Sequence, residues 1–309
     1  RYVLNMLDTH GFDYDAVNLS SITAMDARHR EDQWILSKLQ SVIASTNESL
    51  GKYELGDAQQ GLYEFIWNDY CDWYIEMSKV RISSGDNDPM KCLIYVLGQI
   101  LKLTHPFMPY ITEEIWQNIN QRVDFELGSI MLSDYPQYSS SSYNSQIEDE
   151  ISTVIQIIKS IRNLRSEFNI DAKQSIDAIV KTTNFEEVIM SEAQLIKSAS
   201  MVKEIVFSDE DKTGTNANLV INGLGGLQIE PIVIILPLEG IVDIEEEIER
   251  LDGELQECVN NISRLSKLVS NENFRAKADP EVVNNETEKL RASEAQKERL
   301  QEIVAQLKG

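Results

Sequence analysis

The chain has 309 residues and a formal net charge of −23, and 42% of its residues are hydrophobic. So acidic a protein repels nucleic-acid phosphates as a whole, which excludes a general nucleic-acid binder but leaves room for a local basic surface. The hydrophobic content is ordinary for a folded protein of two or three domains and excludes a largely disordered chain.

Targeting, disulfide and metal signals are missing from the sequence. It has no run of about twenty apolar residues and no signal-peptide layout, and it starts at Arg1 without a methionine, so we expect a cytoplasmic chain cut from something larger. Three widely spaced cysteines predict buried, reduced thiols: Cys71, Cys92 and Cys258. The histidines lack a cysteine or carboxylate at ligand spacing, so we expect no metal: His10, His29 and His105.

Four apolar stripes at helical spacing predict a helical bundle over residues 31–135. The preceding residues, 1–30, read as the end of a helix and a loop that closes with Arg28-His29-Arg30. We expect His105 to fix a helix break at Pro106 through a hydrogen bond. The stripes comprise residues 34–43, 62–77, 93–103 and 110–119. The tryptophans that we assign to the core are Trp67, Trp73 and Trp116.

Alternating short strand and helix patterns predict a small α/β domain over residues 146–240. A serine- and tyrosine-rich stretch, residues 133–145, reads as the linker before it, and a helix near Ile147–Leu164 opens it. The segment Gly223–Gly226 lacks the spacing and the following helix of a phosphate-binding loop, so it is interpreted as a hairpin turn. Strands are predicted at 174–180, 202–207, 219–222 and 227–236, with a helix at 186–198.

The last segment, residues 241–309, predicts an antiparallel coiled-coil hairpin that projects as an arm. Its first helix carries an apolar ladder in steps of three and four: Ile241, Ile244, Ile248, Leu251, Leu255, Cys258, Ile262, Leu265 and Val269. Its second helix begins after Asp279-Pro280 and has a thinner stripe: Val283, Leu290, Leu300, Val304 and Leu307. Three polar residues interrupt that stripe, which indicates either a partner in a dimer or simple flexibility: Glu286, Ser293 and Lys297.

Charge is polarised along this hairpin. Acidic residues gather at the base: Asp243, Glu245, Glu246, Glu247, Glu249, Asp252, Glu254 and Glu257. Basic residues gather near the turn, against the single acid Glu272: Arg264, Lys267, Arg275 and Lys277. A basic tip on an acidic stalk favours a few salt-sensitive phosphate contacts, although such charges are also common as plain solvated residues.

Four stretches together resemble valyl-tRNA synthetase outside its catalytic domain. They are Asp32–Leu39, Phe65–Glu76, Leu103–Trp116, and Leu236–Gly240 with Leu268–Phe274. Gln33 stands where arginine is usual in the first stretch, and the third stretch is shared with isoleucyl and leucyl relatives. The C-terminal zinc cysteines expected of an isoleucyl enzyme are missing, and so are the catalytic signatures His-Ile-Gly-His and Lys-Met-Ser-Lys-Ser.

The resemblance implies a mainly α chain: a helical anticodon-binding bundle, a small α/β connecting domain, and a coiled-coil arm at the outer corner of the tRNA. It implies that the parent enzyme attaches valine to tRNA(Val) with ATP, in catalytic and editing domains that this chain lacks. The chain itself would then carry no catalytic residue and no cofactor. We expect a monomer, without membrane contact, whose partners are tRNA(Val) and those missing domains.

The candidate RNA contacts fall into three groups. On the anticodon side they are Arg28, His29, Arg30, Trp34, Lys38, Lys79 and Arg81. In the connecting domain they are Arg162 and Arg165, which either meet the tRNA backbone or pair with carboxylates. In the arm they are Arg264, Lys267, Arg275, Lys277 and Arg291. Trp34 lies on an apolar stripe, so core packing is favoured over base stacking there.

Two other functions remain open at this point. The hairpin suits a coiled-coil protein interaction module with no RNA role, docking or dimerising through its seam. The chain also suits the same region of an isoleucyl- or leucyl-type synthetase, although the arm and the missing zinc cysteines argue against that alternative.

Overall fold

The computed structural model describes residues 1–12, 27–122, 128–171, 173–208, 216–221, 231–271, 274 and 279–308. The chain divides into two compact units, Arg1–Thr153 and Val154–Gly309. The prediction of a mainly α chain with a small α/β part and two long C-terminal helices is confirmed, and the strands form one mixed sheet. Within the described part of the chain, no helix is long and apolar enough to cross a membrane.

The first unit is helical. Its helices are α1 (Tyr2–Thr9), α2 (Arg30–Gly51), α3 (Leu55–Glu64), α4 (Ile75–Ser83), α5 (Asp88–Thr104), α6 (Pro109–Asn120) and the start of α7 (Ser145–Glu167). Short 3₁₀ turns lie at Ile130–Leu132 and Ser140–Ser142. The apolar stripes predicted from helical spacing meet in its core, where Trp34, Leu39 and Leu93 are almost fully buried.

A π-helix, Phe65–Tyr74, joins α3 to α4 and corrects one assignment. Phe65, Tyr70 and Tyr74, spaced five and four residues apart, share the buried face of this π-helix. Trp67 is turned outward and is 55% exposed, so its assignment to the core was wrong. Trp116 is in the core as expected, and Trp73 is half-buried.

The connection before α7 is held against α2. The side-chain amide of Asn47 donates to the carbonyl of Pro136 (3.0 Å), and the backbone N–H of Ser139 donates to Oε1 of Gln40 (2.8 Å). This stretch is irregular, as a linker should be, but it is docked. The expected helix break is also present, since α5 ends at Thr104 and α6 begins at Pro109. Across this break, Nδ1 of His105 lies within hydrogen-bond distance of the Thr112 hydroxyl (2.7 Å).

In the second unit, four strands form one mixed sheet in the order β2-β1-β4-β3. The strands are β1 (Ile176–Lys181), β2 (Val202–Phe207), β3 (Asn216–Ile221) and β4 (Ile232–Pro237). Two short helices, α8 (Glu186–Ser191) and α9 (Ala193–Ser200), connect β1 to its parallel neighbour β2. Strands β3 and β4 pair antiparallel, but the predicted turn at Gly223–Gly226 lies outside the described residues.

Two helices form the C-terminal hairpin: α10 (Ile244–Val269) and α11 (Pro280–Lys308). The Asp243 carboxylate caps α10 by accepting from the N–H groups of Glu245 and Glu246. Leu251, Cys258 and Leu265 are its most buried ladder residues, spaced seven apart as in a coiled coil. The remaining ladder residues are half-buried, so the core of the hairpin is thin.

Ser293 interrupts the apolar stripe of α11, and at this position α11 makes polar contacts with α10. The Cys258 thiol donates to the Ser293 carbonyl (3.1 Å), and the Asn261 amide donates to the Ser293 hydroxyl (3.2 Å). Leu251, seven residues before Cys258 on α10, and Leu300, seven residues after Ser293 on α11, line the same cleft. The two helices therefore run antiparallel. At this level the ladder is therefore covered within the hairpin itself.

The three cysteines are free thiols. Cys92 and Cys258 are buried as expected, and burial raises the pKa of Cys92 well above its ordinary value. Cys71 is only half-buried, so the expectation was wrong for it. No three of the described histidine, cysteine, aspartate and glutamate side chains are grouped so as to hold a metal ion.

Candidate nucleic-acid interface

Exposed cations lie at the far end of α10 and at Arg291 on α11, and they meet no carboxylate in the part of the chain that the structure describes. Among the described residues, no carboxylate lies within ion-pair distance of Arg264, Lys267 or Arg291, and Arg264 donates only to the Asn261 amide oxygen (3.0 Å). A cation without a partner is free to bind an external anion at no cost of breaking a salt bridge. Arg275 and Lys277, predicted beside them, lie outside the described residues.

The near end of the hairpin is acidic and internally paired. Glu245, Glu246 and Glu247 occupy the first turn of α10, where the helix dipole favours negative charge. Glu247 is buried and accepts from Nε of Arg250 (2.9 Å), whose guanidinium also pairs with Glu254. These charges satisfy one another, so the base of the arm has little to offer a polyanion.

Glu167, at the end of α7, fastens both hairpin helices at that base. Its carboxylate accepts from Nε and Nη2 of Arg299 on α11 (3.2 and 2.8 Å), and its carbonyl accepts from Arg250 on α10 (2.9 Å). The bond to Glu167 raises the pKa of Arg299 above its ordinary value, against the opposing effect of burial. Arg250 and Arg299 therefore tie both hairpin helices to the end of α7.

We expect Glu167→Ala to loosen the base of the arm without unfolding it. The loss of one partly exposed bidentate ion pair costs about 1 kcal/mol, which speeds local amide hydrogen exchange near Arg299 about fivefold. The matched control is Glu302→Ala, because Glu302 pairs with the same arginine at 3.5 Å but lies within α11. Equal exchange rates in the two variants would contradict this role for Glu167.

Most candidate cations of the bundle are engaged in ion pairs. Arg30 pairs with Glu150, Lys38 lies 3.7 Å from Asp69, and Lys79 lies 2.5 Å from Glu76 and over the ring of Tyr2. His29 lies 3.8 Å from Asp86. Arg28 is exposed and pairs with no carboxylate among the described residues. To bind an external anion, each of these cations except Arg28 would first have to leave its carboxylate partner.

Arg81 is a structural residue, which corrects its prediction as an RNA contact. Its guanidinium, with a side chain 12% exposed, donates to Asp32 (2.7 Å), Glu31 (3.2 Å) and Asp86 (2.7 Å). These carboxylates raise the pKa of Arg81 above its ordinary value although burial opposes this. Burial raises the pKa of Asp32, opposed by Arg81 and by the Tyr74 hydroxyl. Arg81 therefore holds this network together, with each of its three guanidinium nitrogens donating to a carboxylate.

Trp34 is likewise corrected, because it is only 1% exposed and a base cannot reach its face. Of the two interpretations of this residue, core packing is the one that the structure shows.

Arg165 is also buried: its guanidinium donates to the carbonyls of Asp171 (2.7 Å), Gln174 (2.7 Å) and Met201 (3.3 Å). Arg162 is exposed and donates through Nε to the carbonyl of Ala199 (2.8 Å). Neither alternative considered for Arg165 describes it, since it pairs with backbone carbonyls.

Sequence reasoning missed one exposed aromatic surface. The rings of Tyr63 and Trp67 are parallel within 4° and their centroids lie 6.3 Å apart, with both side chains more than half exposed. Their spacing of four residues on a helix was a signal for such a pair. The aromatic-rich stripe around them was interpreted as core, which concealed it.

Comparison with known protein families identifies two regions of the chain. Residues 32–180 match the anticodon-binding domain of tRNA ligase, and residues 243–308 match the valyl tRNA synthetase tRNA binding arm. The chain is similar along its whole length to the valine–tRNA ligase of Bacillus subtilis, at 33% identity.

The chain belongs to the valyl-tRNA synthetase family. It is also 35% identical over 94% of its length to the valine–tRNA ligase of Carboxydothermus hydrogenoformans, and 34% identical over 95% to that of Enterococcus faecalis. The chain spans about a third of the length of these relatives.

The family matches cover the helical bundle and the C-terminal hairpin, the two parts of the chain that carry most of the candidate RNA contacts. The arm match contains the whole hairpin from its capping Asp243, including the exposed Arg264 and Lys267. The anticodon-domain match begins at Asp32, after Arg28 and Arg30, and continues through β1. The predicted limits of the bundle and connecting domain, residues 31–135 and 146–240, stay predictions.

Proposed function

We propose that this chain is the C-terminal tRNA-binding region of a valine–tRNA ligase. The helical bundle binds the anticodon stem-loop, and the hairpin binds the outer corner of the tRNA. The observation that carries the proposal is the pair of exposed cations near the end of α10, Arg264 and Lys267, which meet no carboxylate among the described residues, in a hairpin matching the family's tRNA-binding arm.

The physics of the two contacts differs. Arg264 and Lys267 contact phosphates, which fixes the position of the tRNA without reading its sequence. An anticodon loop is read instead by stacking and by hydrogen bonds to the edges of unstacked bases. The exposed Arg28, and Lys38 after it leaves Asp69, are the described cations best placed for the loop.

The rest of the proposal concerns the longer protein. We infer that the parent enzyme attaches valine to tRNA(Val) with ATP in the cytoplasm, using catalytic and editing domains outside this chain. This chain, as a monomer, contributes affinity and specificity for the tRNA. A coiled-coil module without an RNA role is less favoured, since the polar contact at Ser293 is completed within the hairpin.

A filter-binding assay with valine tRNA tests the proposal. With four phosphate contacts, raising the salt from about 50 to 200 mM should weaken binding roughly a hundredfold. A tRNA of different anticodon should bind more weakly at either salt concentration. Absence of binding at low salt, or binding that salt does not weaken, would refute RNA binding by this chain.

A further inference from the structure

An exposed apolar surface lies at the start of α6 and on the 3₁₀ turn Ile130–Leu132. It consists of the side chains of Met108, Tyr110, Ile111, Met131 and Leu132, which we call the α6 patch. Tyr110 is 91% exposed and Met131 is 77% exposed. A monomeric protein rarely leaves a group of large apolar side chains in water unless something covers them.

The α6 patch is built as one surface from two segments. The Glu113 carboxylate on α6 accepts from the Ser129 hydroxyl (3.0 Å) and from the N–H of Ile130 (3.2 Å). Burial opposes ionisation of Glu113, but these bonds and that of Gln117 lower its pKa below the ordinary value. Gln117 also donates to the carbonyl of Gly128. These contacts hold Met131 beside the first turns of α6.

A cleft opens beside the patch. Its volume is about 150 Å³, enough for one side chain, and Pro106, Ile130 and Met131 form its apolar wall. Lys102 lies on the other side of the cleft, half-buried, and burial lowers its pKa. The patch therefore has the shape of a docking surface, with a recess next to its most exposed residues.

Charge argues against RNA and against a second copy of this chain as the occupant. Glu113 and Glu114 flank the patch on α6, against the one half-buried lysine that lines the cleft, Lys102, so acidic charge predominates and phosphates are disfavoured. A two-fold contact between copies would bring these carboxylates together across the interface, in a chain whose net charge is already −23. The occupant should be an apolar protein surface without that acidic border.

We propose that the α6 patch is the surface on which another domain of the longer ligase polypeptide docks. The relatives are about three times as long as this chain, so about two thirds of each lies outside the matched region. Domains of one chain meet through surfaces of this kind. This inference rests on the proposed function only in identifying the occupant as part of the ligase.

Methionine oxidation tests the proposal without a mutation. Peroxide oxidises exposed methionines, and mass spectrometry reports the rate at each one. In this chain alone Met131 and Met108 should oxidise readily, and in the full-length protein of the same gene about tenfold more slowly. Met190, 56% exposed in the second unit, is the reference that should oxidise equally in both, and buried Met90 should be protected in both.

Three results would overturn the proposal. Met131 could oxidise equally fast in the two proteins, which would show that no domain covers it. Protection could appear in this chain alone as its concentration rises, which would identify a second copy. Protection could require added tRNA, which would identify RNA. Filter binding by this chain reports separately on the proposed function, so either idea can fail while the other stands.

Discussion

Replacing Arg264 and Lys267 with glutamate should weaken binding of valine tRNA about 10- to 100-fold at moderate salt. Both cations are exposed, and neither pairs with a carboxylate among the described residues, so each is available to a phosphate. Losing two phosphate contacts should also reduce the slope of log affinity against log salt by about two. Filter binding over a range of salt concentrations measures both quantities.

The matched control places the same charge change elsewhere on the hairpin. Lys289→Glu with Lys297→Glu lowers the net charge equally, but Lys289 already pairs with Glu286 at 2.7 Å and lies on α11. This variant should bind within about threefold of the original chain, since only the long-range field changes. If both double variants lose the same affinity for tRNA, the loss reflects the overall charge of the chain, and Arg264 and Lys267 do not bind phosphates directly.

Replacing Arg81 with methionine should destabilise the first unit by about 3 kcal/mol or more. Asp32 and Glu31 are almost fully buried, and Arg81 is the cation that they share. Removing it leaves buried carboxylates unpaired, which costs more than the loss of a surface ion pair. Urea unfolding followed by tryptophan fluorescence isolates this effect, because Trp34, Trp67, Trp73 and Trp116 are the chain's four tryptophans and all belong to the first unit.

Two further variants separate this network from ordinary surface charge. Lys79→Met removes a neighbouring cation whose partner, Glu76, is on the same helix and exposed, so it should cost less than about 1 kcal/mol. Adding Asp32→Asn to Arg81→Met should recover part of the lost stability, because one unpaired charge is gone. An Arg81→Met variant of unchanged stability that no longer binds tRNA would reverse our correction and return Arg81 to the RNA-binding surface.

Local periodicity explains how much of the fold was predictable. The hairpin follows from a ladder in steps of three and four and from the helix-start signal at Asp279-Pro280, both of which act within a few residues. The same is true of the bundle stripes. Strands β1 to β4 were found because each is a short apolar run between turn signals.

The failures came from residue type and from tertiary contacts. Trp67 was assigned to the core because tryptophan is large and apolar, but it lies off the helix face on which Phe65, Tyr70 and Tyr74 are buried. Arg165 is buried, and its guanidinium donates to the carbonyls of Asp171 and Gln174 in the loop after α7 and to that of Met201, 36 positions away. Arg81 is enclosed by carboxylates up to fifty positions away in sequence. A sequence shows that a cation is present, but its partners are set by tertiary structure.

A hydroxyl-radical footprint of valine tRNA bound to this chain tests the central claim most directly. The account predicts two protected regions, the anticodon loop and the outer corner. It further predicts that Arg264→Glu with Lys267→Glu removes protection at the corner while the anticodon loop stays protected at saturating protein. Loss of both regions together, or an unchanged footprint in that variant, would contradict the division of tRNA binding between the bundle and the arm.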